Sequence, residues 1–251
     1  MPTPPVACSA LYPDVTARGS LAAALRAEAN GRLDAVPVMS PGVDPLLRAI
    51  VPSGLLHREE LEITGWSRER RWSVRGADSF QGLALIDGET HDLAAVARAS
   101  GAWHDGASLE DIRRVAPFVH LTGRFDVPDN DPERLARSEW QHLRQEAAER
   151  EEAAGPANHR ALVEAAYAEP ALRALYPFTS HWVLRFATST RPRLTAAGVS
   201  VSATSDGMYG VGTGGVGDDL GRFATAREAV RTAVLTLPVG LGPVTLGTLD
   251  E

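Results

Sequence analysis

Alternation of apolar and polar residues with a period of two constrains the fold of this chain more than any other feature. Leu61 and Ile63 alternate with glutamates and a threonine, and Trp72 and Val74 alternate with arginines and a serine. A period of two places one set of side chains on the buried face of a strand and the other set on its solvent face. The stretch therefore predicts an antiparallel hairpin.

The same pattern returns in the last quarter of the chain. Asp206-Gly207, a dipeptide typical of a tight hairpin turn, separates a predicted strand from its return strand at Tyr209 and Val211. The apolar positions before that turn lie in two predicted strands and are Trp182, Leu184, Phe186, Val199, Val201 and Ala203. This stretch predicts a second antiparallel sheet.

Helical patterns flank both stretches. Capping residues, apolar spacings of three and four, and terminating prolines or glycines predict helices at 20–29, 92–103, 109–116, 131–154, 158–168, 170–176 and 225–237. We further predict a short helical turn at Leu46–Ile50, a third strand at 82–86 that ends at Asp87-Gly88, and an edge strand at 243–249.

Contiguous strands followed by contiguous helices favour an α+β fold, with antiparallel hairpins flanked by helices, over a parallel α/β sheet. Strands followed by a helix occur twice, at 60–103 and 181–237, as in two similar strand-helix halves. We expect one domain over residues 1–251, with subdomains at 11–127 and 128–251. The proline-rich residues 1–10 are expected to be disordered.

The basic and sulfur-containing residues exclude several classes of enzyme. All 25 basic residues are arginine, so a lysine Schiff base, a Walker A lysine and a kinase strand lysine are excluded. Cys8 is the one cysteine, which excludes an intrachain disulfide and a cysteine-rich metal site. We expect neither a cofactor nor a metal.

Charge and hydropathy indicate the compartment and the partners. The net charge of −7 disfavours binding to nucleic acid or to an anionic membrane. No apolar run approaches the roughly 20 residues that span a bilayer, and the N-terminus lacks the pattern of a secretory signal. We therefore expect a cytoplasmic protein without nucleic-acid or membrane partners.

Two motifs suggest chemistry but are better explained by local structure. Gly212-Thr213-Gly214-Gly215-Val216-Gly217 fits the dinucleotide pattern G-x-G-x-x-G, yet Asp218 and Asp219 follow it and would repel a phosphate. We interpret it as a loop after a hairpin. His91-Asp92 and His104-Asp105 resemble the His-Asp pairs of metal-dependent phosphohydrolases, but their separation and strand-rich surroundings do not suit that all-helical arrangement. We interpret His91 and Asp92 as residues of a helix's first turn, where the helix dipole favours aspartate.

The candidate site lies around the strand that begins near residue 182. Because Trp182, Leu184 and Phe186 take the buried face, the side chains between them must point to the opposite face. An imidazole, guanidinium groups and hydroxyls on that face would bind a carboxylate or another hydrogen-bonding ligand. The candidate ligand-binding residues are Arg173, His181, Arg185, Ser200 and Ser202, with His181 and Tyr176 as candidate catalytic groups. The alternative is an ordinary solvent-facing sheet surface.

Several short motifs resemble an actinobacterial family of unknown function, the domain of unknown function numbered six-one-nine-three, whose members are called natural product biosynthesis proteins. The most specific is the stretch Ala168–His181, which reads AEPALRALYPFTSH; the others are Leu11–Val15, Gly65-Trp66, Thr225–Ala229, Leu237-Pro238 and Gly242-Pro243. The resemblance implies a role in secondary metabolism, with a modified peptide as one product class.

Three functions remain open from the sequence. The first is an accessory protein that binds a pathway peptide, a small molecule or a biosynthetic enzyme on the face of His181 and Arg185. The second is a cofactor-independent cyclase, lyase or hydrolase that uses His181 with Tyr176 or Arg173. The third is a structural interaction protein.

Overall fold

The computed structural model describes residues 8–42, 44–151, 158–180, 182–213 and 218–248. The chain divides into two compact units, Met1–Thr122 and Gly123–Glu251. Each unit contains a five-stranded antiparallel sheet whose strands lie in sequence order, with helices packed on it. The α+β fold predicted from the sequence is confirmed.

The first unit forms its core between the inner face of its sheet and its helices. Leu61, Ile63, Trp72 and Val74, the predicted buried set, are each no more than 2 % exposed. The elements are α1 (Cys8–Leu11), α2 (Pro13–Arg18), α3 (Leu21–Glu28), β1 (Arg48–Val51), β2 (Leu61–Gly65), β3 (Trp72–Ala77), β4 (Ala84–Thr90), α4 (Leu93–His104), α5 (Leu109–Val115) and β5 (Val119–Leu121).

Helices cover one face of the sheet in the second unit. The apolar stripe predicted for the longest of them, which contains Trp140 and Leu143, is buried against that face. The elements are α6 (Pro132–Glu151), α7 (His159–Ala168), α8 (Pro170–Arg173), β6 (Tyr176–Ser180), β7 (Val183–Ala187), β8 (Ala196–Ala203), β9 (Tyr209–Thr213), β10 (Gly221–Phe223) and α9 (Ala226–Leu235).

Local capping signals in the sequence predict most helix ends correctly. Ser108 accepts a hydrogen bond from the Asp111 amide at 3.1 Å, and Thr225 accepts one from the Glu228 amide at 3.3 Å. Asp92 caps α4 by accepting from the Ala94 amide at 2.9 Å, as the interpretation of His91-Asp92 expected. Each cap satisfies an amide that has no partner inside its own helix.

Three predictions were wrong in the first unit. Residues 8–10, expected to be disordered, lie in α1, whereas residues 1–7 lie outside the described residues. The predicted helical turn at Leu46–Ile50 overlaps strand β1, which pairs with β2 through Ala49–Ile63 and Val51–Leu61. Strand β4 continues through Asp87-Gly88 to Thr90, because both residues pair with β3 and with β5.

Two predictions were wrong in the second unit. Tyr176 does not end a helix: α8 stops at Arg173, and Tyr176 opens the edge strand β6. Pro177 is tolerated there because an edge strand leaves part of its backbone without a ladder partner. The edge strand predicted at 243–249 is, in the described part of that range, a parallel bridge between Ser189 and Thr245.

Gly88 shows why a glycine in a strand need not signal a turn. A Cβ at this position would lie 2.5 Å from the Phe118 carbonyl oxygen and 3.2 Å from the Val119 Cα. Strand β5 can approach β4 at this point only because the side chain is absent. The Asp87-Gly88 dipeptide therefore serves sheet pairing.

We expect Gly88→Ala to destabilise the first unit by about 1–3 kcal/mol, because the added methyl pushes β5 away from β4. Gly101→Ala in α4 is the matched control, since its Cβ would meet only Arg32 side-chain carbons at 3.8 and 3.9 Å. That change should stabilise the helix by about 0.5–1 kcal/mol. Urea unfolding measures both, and shifts of the same sign would contradict the account.

Candidate ligand-binding groove

The strand register places the predicted sheet-face residues together. Arg185 lies directly opposite Ser200 on one side and Phe178 on the other, and Ser202 lies opposite Val183 on the same face. Leu184 and Phe186 are buried on the other face, as predicted. His181 lies outside the described residues.

Trp182 departs from the predicted alternation. Its backbone has a φ of 67°, a left-handed conformation that is rare for a bulky residue, and strand β7 begins only at Val183. Its half-buried ring meets the His159 ring edge-on at 5.4 Å between centroids. Trp182 is therefore half-buried beside α7, and the regular alternation of the strand begins at Val183.

The polar groups of this sheet face are engaged with the protein itself. Ser200 is 1 % exposed, and its hydroxyl donates a hydrogen bond to the Gly212 carbonyl at 3.3 Å. The guanidinium of Arg185, a half-buried residue, lies 5.1 Å from the centroid of the Phe178 ring. A ligand on this face would have to compete with these contacts.

Arg222, a second arginine on the same sheet face, is paired with a carboxylate. The register brings Arg222 opposite Gly210, which is itself opposite Ser202. Arg222 donates to Asp206 at 2.5 Å. The Thr204 hydroxyl, and after it Arg222, lower the pKa of the Asp206 carboxyl to about 2. The Asp206 carboxylate thus stays charged and remains paired with the Arg222 guanidinium.

Arg173 is separated from this group and lines a groove elsewhere in the second unit. The groove has a volume of about 410 Å³, within the usual range of small-molecule sites. Helices α6, α7 and α8 and the segment after α9 contribute its walls. The lining residues that matter below are Glu133, Arg137, Trp140, Tyr167, Arg173 and Pro243.

Two aromatic rings form a rigid apolar part of the groove. Trp140 is 1 % exposed, and its indole N–H donates a hydrogen bond to the Leu175 carbonyl at 3.2 Å. The half-buried Tyr167 ring packs edge-on against the indole with 5.6 Å between centroids. Because the indole is buried and held by this hydrogen bond, it supports the Tyr167 ring, whose half-buried face is the aromatic surface that a ligand in the groove can contact.

Two arginines in the groove have no carboxylate partner among the described residues. The exposed Arg137 forms no ion pair or hydrogen bond there. The exposed Arg173 donates to the Tyr167 carbonyl at 3.3 Å, and its guanidinium lies 5.6 Å from the Tyr167 ring centroid. A guanidinium has five N–H donors, so most of those on Arg173 remain available to a ligand.

The neighbouring arginines of α6 are neutralised within the protein. Arg134 pairs with Asp129 at 2.9 Å. Arg144 forms a two-pronged contact with Glu164 at 2.8 and 2.9 Å, and this hydrogen bonding raises the pKa of the guanidinium. Arg137, between them on the same helix, is the exception that faces the groove.

The sequence identified only part of this site. Arg173 was predicted to bind a ligand and lines the groove, whereas Tyr176 is fully buried and packs with Ala136 and Val244 behind it. Arg137 and Tyr167 were missed. The signal that could have found Arg137 is its position on the flank of the apolar stripe that contains Trp140.

The described residues contain no group of three or more His, Cys, Asp or Glu side chains placed to hold a metal ion. Gly214–Gly217 of the glycine-rich motif lie outside the described residues. Thr213, just before that stretch, donates hydrogen bonds to the Asp219 carboxylate from both its amide and its hydroxyl. Within the same described part of the chain, no helix combines the length and apolarity that crossing a membrane requires.

Comparison with known proteins locates a family match in this unit. Residues 134–248 match the model of a family described as Family of unknown function (DUF6193). The match confirms the resemblance to a family of unknown function for this stretch, while Leu11–Val15 and Gly65-Trp66 lie outside it. All of the groove residues named above except Glu133 lie inside it. No curated protein and no solved structure matches this chain.

Proposed function

We propose that this protein is an accessory binding protein of secondary-metabolite biosynthesis, and that it holds an anionic pathway intermediate in the groove of its second unit. The observation that carries the proposal is the pair Arg137 and Arg173, two guanidiniums without a carboxylate partner among the described residues, beside the fixed ring of Trp140. The groove lies almost wholly within the stretch that matches the family of unknown function.

The chemistry of the groove favours this class of ligand. Guanidinium groups bind carboxylates and phosphates through paired, charge-assisted hydrogen bonds. Aromatic rings beside them bury the apolar part of the same molecule. The ligand that uses both features carries a negative charge on an apolar body, as many biosynthetic intermediates do.

The position of one residue weighs against the form of the enzymatic alternative that uses Tyr176. Tyr176, which the sequence suggested as a catalytic partner of His181, is 0 % exposed and sits in a small apolar cluster. A catalytic group must come within hydrogen-bond reach of a reacting atom. A buried phenol behind the groove supports the lining but does not reach the ligand.

Gene replacement tests the proposal. In a producing strain that lacks the gene, complementation with Arg137→Ala or Arg173→Ala should restore about tenfold less pathway product than the wild type, because each change removes charge-assisted hydrogen bonds to the ligand. Arg227→Ala, an exposed arginine of α9 that makes no contact with the groove, is the control of equal charge and should restore full yield.

Arg185→Ala separates the groove from the predicted sheet face. The proposal expects Arg185→Ala to restore the product. Full yield from both groove variants, with loss of product from Arg185→Ala, would move the site to the sheet face and contradict the assignment to the groove.

A further inference from the structure

We propose that the groove selects an amino-carboxylate, such as a short peptide with free ends, rather than a simple anion. The carboxylate lies between Arg137 and Arg173, and the protonated amine lies at Glu133. This inference rests on the binding function proposed above and adds the chemical class of the ligand.

The charges that line the groove carry the inference. Two guanidiniums and one carboxylate, that of Glu133, line the same space. The exposed Glu133 forms no ion pair or hydrogen bond among the described residues. An anion alone would satisfy the arginines but would be repelled by Glu133. A ligand that also carries a cationic amine satisfies all three groups.

The helix sets the spacing of these charges. Glu133 and Arg137 lie four residues apart on α6, which corresponds to a rise of about 6 Å along the helix axis. Both side chains project from one side of the helix, on consecutive turns. The amine and carboxylate of a ligand that lies along α6 are therefore offered complementary charges in a fixed order.

Glu133 and Arg137 have the spacing of an intrahelical ion pair, yet the described residues show no ion pair between them. Exposed ion pairs of this kind contribute little stability, so a ligand that binds both side chains loses little free energy by keeping them apart. On the same helix, Arg134, one turn before Arg137, is paired with Asp129, and Arg144, two turns after it, is paired with Glu164. The free charges of α6 described here are thus concentrated at the groove.

The apolar walls define the rest of the ligand. Trp140 and Tyr167 form one part of the lining, and Pro170 and Pro243 contribute further apolar surface. Prolines and aromatic rings expose flat apolar faces that suit an aromatic or aliphatic side chain. We expect a ligand whose amine and carboxylate flank such a side chain.

A set of synthetic tripeptides tests this inference with the full chain. Alanyl-phenylalanyl-alanine is titrated as the free peptide, the C-terminal amide and the N-acetyl form, with inorganic phosphate as a simple anion, and binding is followed by calorimetry and by amide NMR shifts. We expect the free peptide to bind, amidation to weaken binding about 10- to 100-fold, and acetylation to weaken it about 3- to 10-fold.

Variants assign each end of the peptide to its residues. The double variant Arg137→Ala/Arg173→Ala should bind the free peptide and the amide equally, and Glu133→Gln should bind the free and the acetylated peptide equally. Arg227→Ala is again the control and should retain the preferences of the wild type. Circular dichroism of each variant confirms that the fold is kept.

Three outcomes overturn the inference. The first is that the free peptide does not bind at concentrations up to about 10 mM. The second is that the acetylated peptide binds as tightly as the free peptide, and the third is that phosphate does so. The last two leave the proposed function standing with a simple anion as ligand. Failure of the proposed function has a different signature, because Arg137→Ala and Arg173→Ala would then restore the pathway product in the complementation assay.

Discussion

Glu139→Ala should lower the free energy of unfolding of the second unit by about 3–5 kcal/mol. Glu139 faces Arg124 in a two-pronged contact at 2.6 and 2.9 Å, and the two side chains are 7 % and 11 % exposed. Removal of the carboxylate leaves a buried guanidinium without the charge that faces it. The cost is that of a desolvated charge rather than of two hydrogen bonds.

The chain offers a matched control for this prediction. Glu164 forms the same two-pronged contact with Arg144, but its side chain is 42 % exposed and that of Arg144 is 39 % exposed. Water can solvate Arg144 when Glu164 is removed, so Glu164→Ala should cost no more than about 1 kcal/mol. The comparison isolates burial, because the paired chemical groups are the same and one partner of each pair lies on α6.

The chain divides into two compact units, so the stability of the second is measured at its own amides. Hydrogen exchange of the α6 amides as a function of urea reports the stability of the second unit. Equal losses from Glu139→Ala and Glu164→Ala would contradict the role given to burial. A loss confined to amides of the first unit would contradict the location.

The sequence predicts those parts of the fold that depend on neighbouring residues. The alternation of Leu61 with Ile63 and of Trp72 with Val74 sets which face of each strand is buried, and the structure confirms it. Caps such as those of Ser108 and Thr225 are predictable for the same reason, since each involves residues three positions apart.

Elements decided by distant contacts were not predictable in this way. Gly88 follows Asp87 as in a turn, but β3 and β5, which lie outside that dipeptide, hold it in a strand. Strand β1 has a short, weakly patterned sequence and is formed by its pairing with β2. Strand propensity depends on such partners more than on the residues themselves.

The candidate site shows the same limit. Arg173 is a predicted ligand-binding residue because it lies in a stretch rich in polar and aromatic residues. The structure places it in a groove with Arg137 and Trp140. The groove joins α6 to α8 and to the segment after α9, which are far apart in sequence. Periodicity reveals the buried stripe of α6 but cannot reveal which helix lies beside its exposed flank.

Trp140→Ala should destabilise the second unit by about 3–5 kcal/mol, because it removes a large side chain that is 1 % exposed. The indole packs against Tyr167 with 5.6 Å between centroids and against Phe186 with 6.1 Å. Trp66→Ala is the control, since Trp66 is 38 % exposed and its main ring contact is the Arg71 guanidinium at 3.5 Å. That change should cost at most about 1 kcal/mol.

Trp140→Phe distinguishes the contribution of the indole N–H from that of the ring. The phenyl ring retains part of the packing but leaves the buried Leu175 carbonyl without the hydrogen bond it accepts at 3.2 Å, so we expect a loss of about 1–3 kcal/mol. Urea-dependent hydrogen exchange of α6 and β7 measures the two Trp140 variants, and that of β2 and β3 measures Trp66→Ala. A cost for Trp140→Phe equal to that of Trp140→Ala would mean that the N–H bond dominates and that the ring adds little.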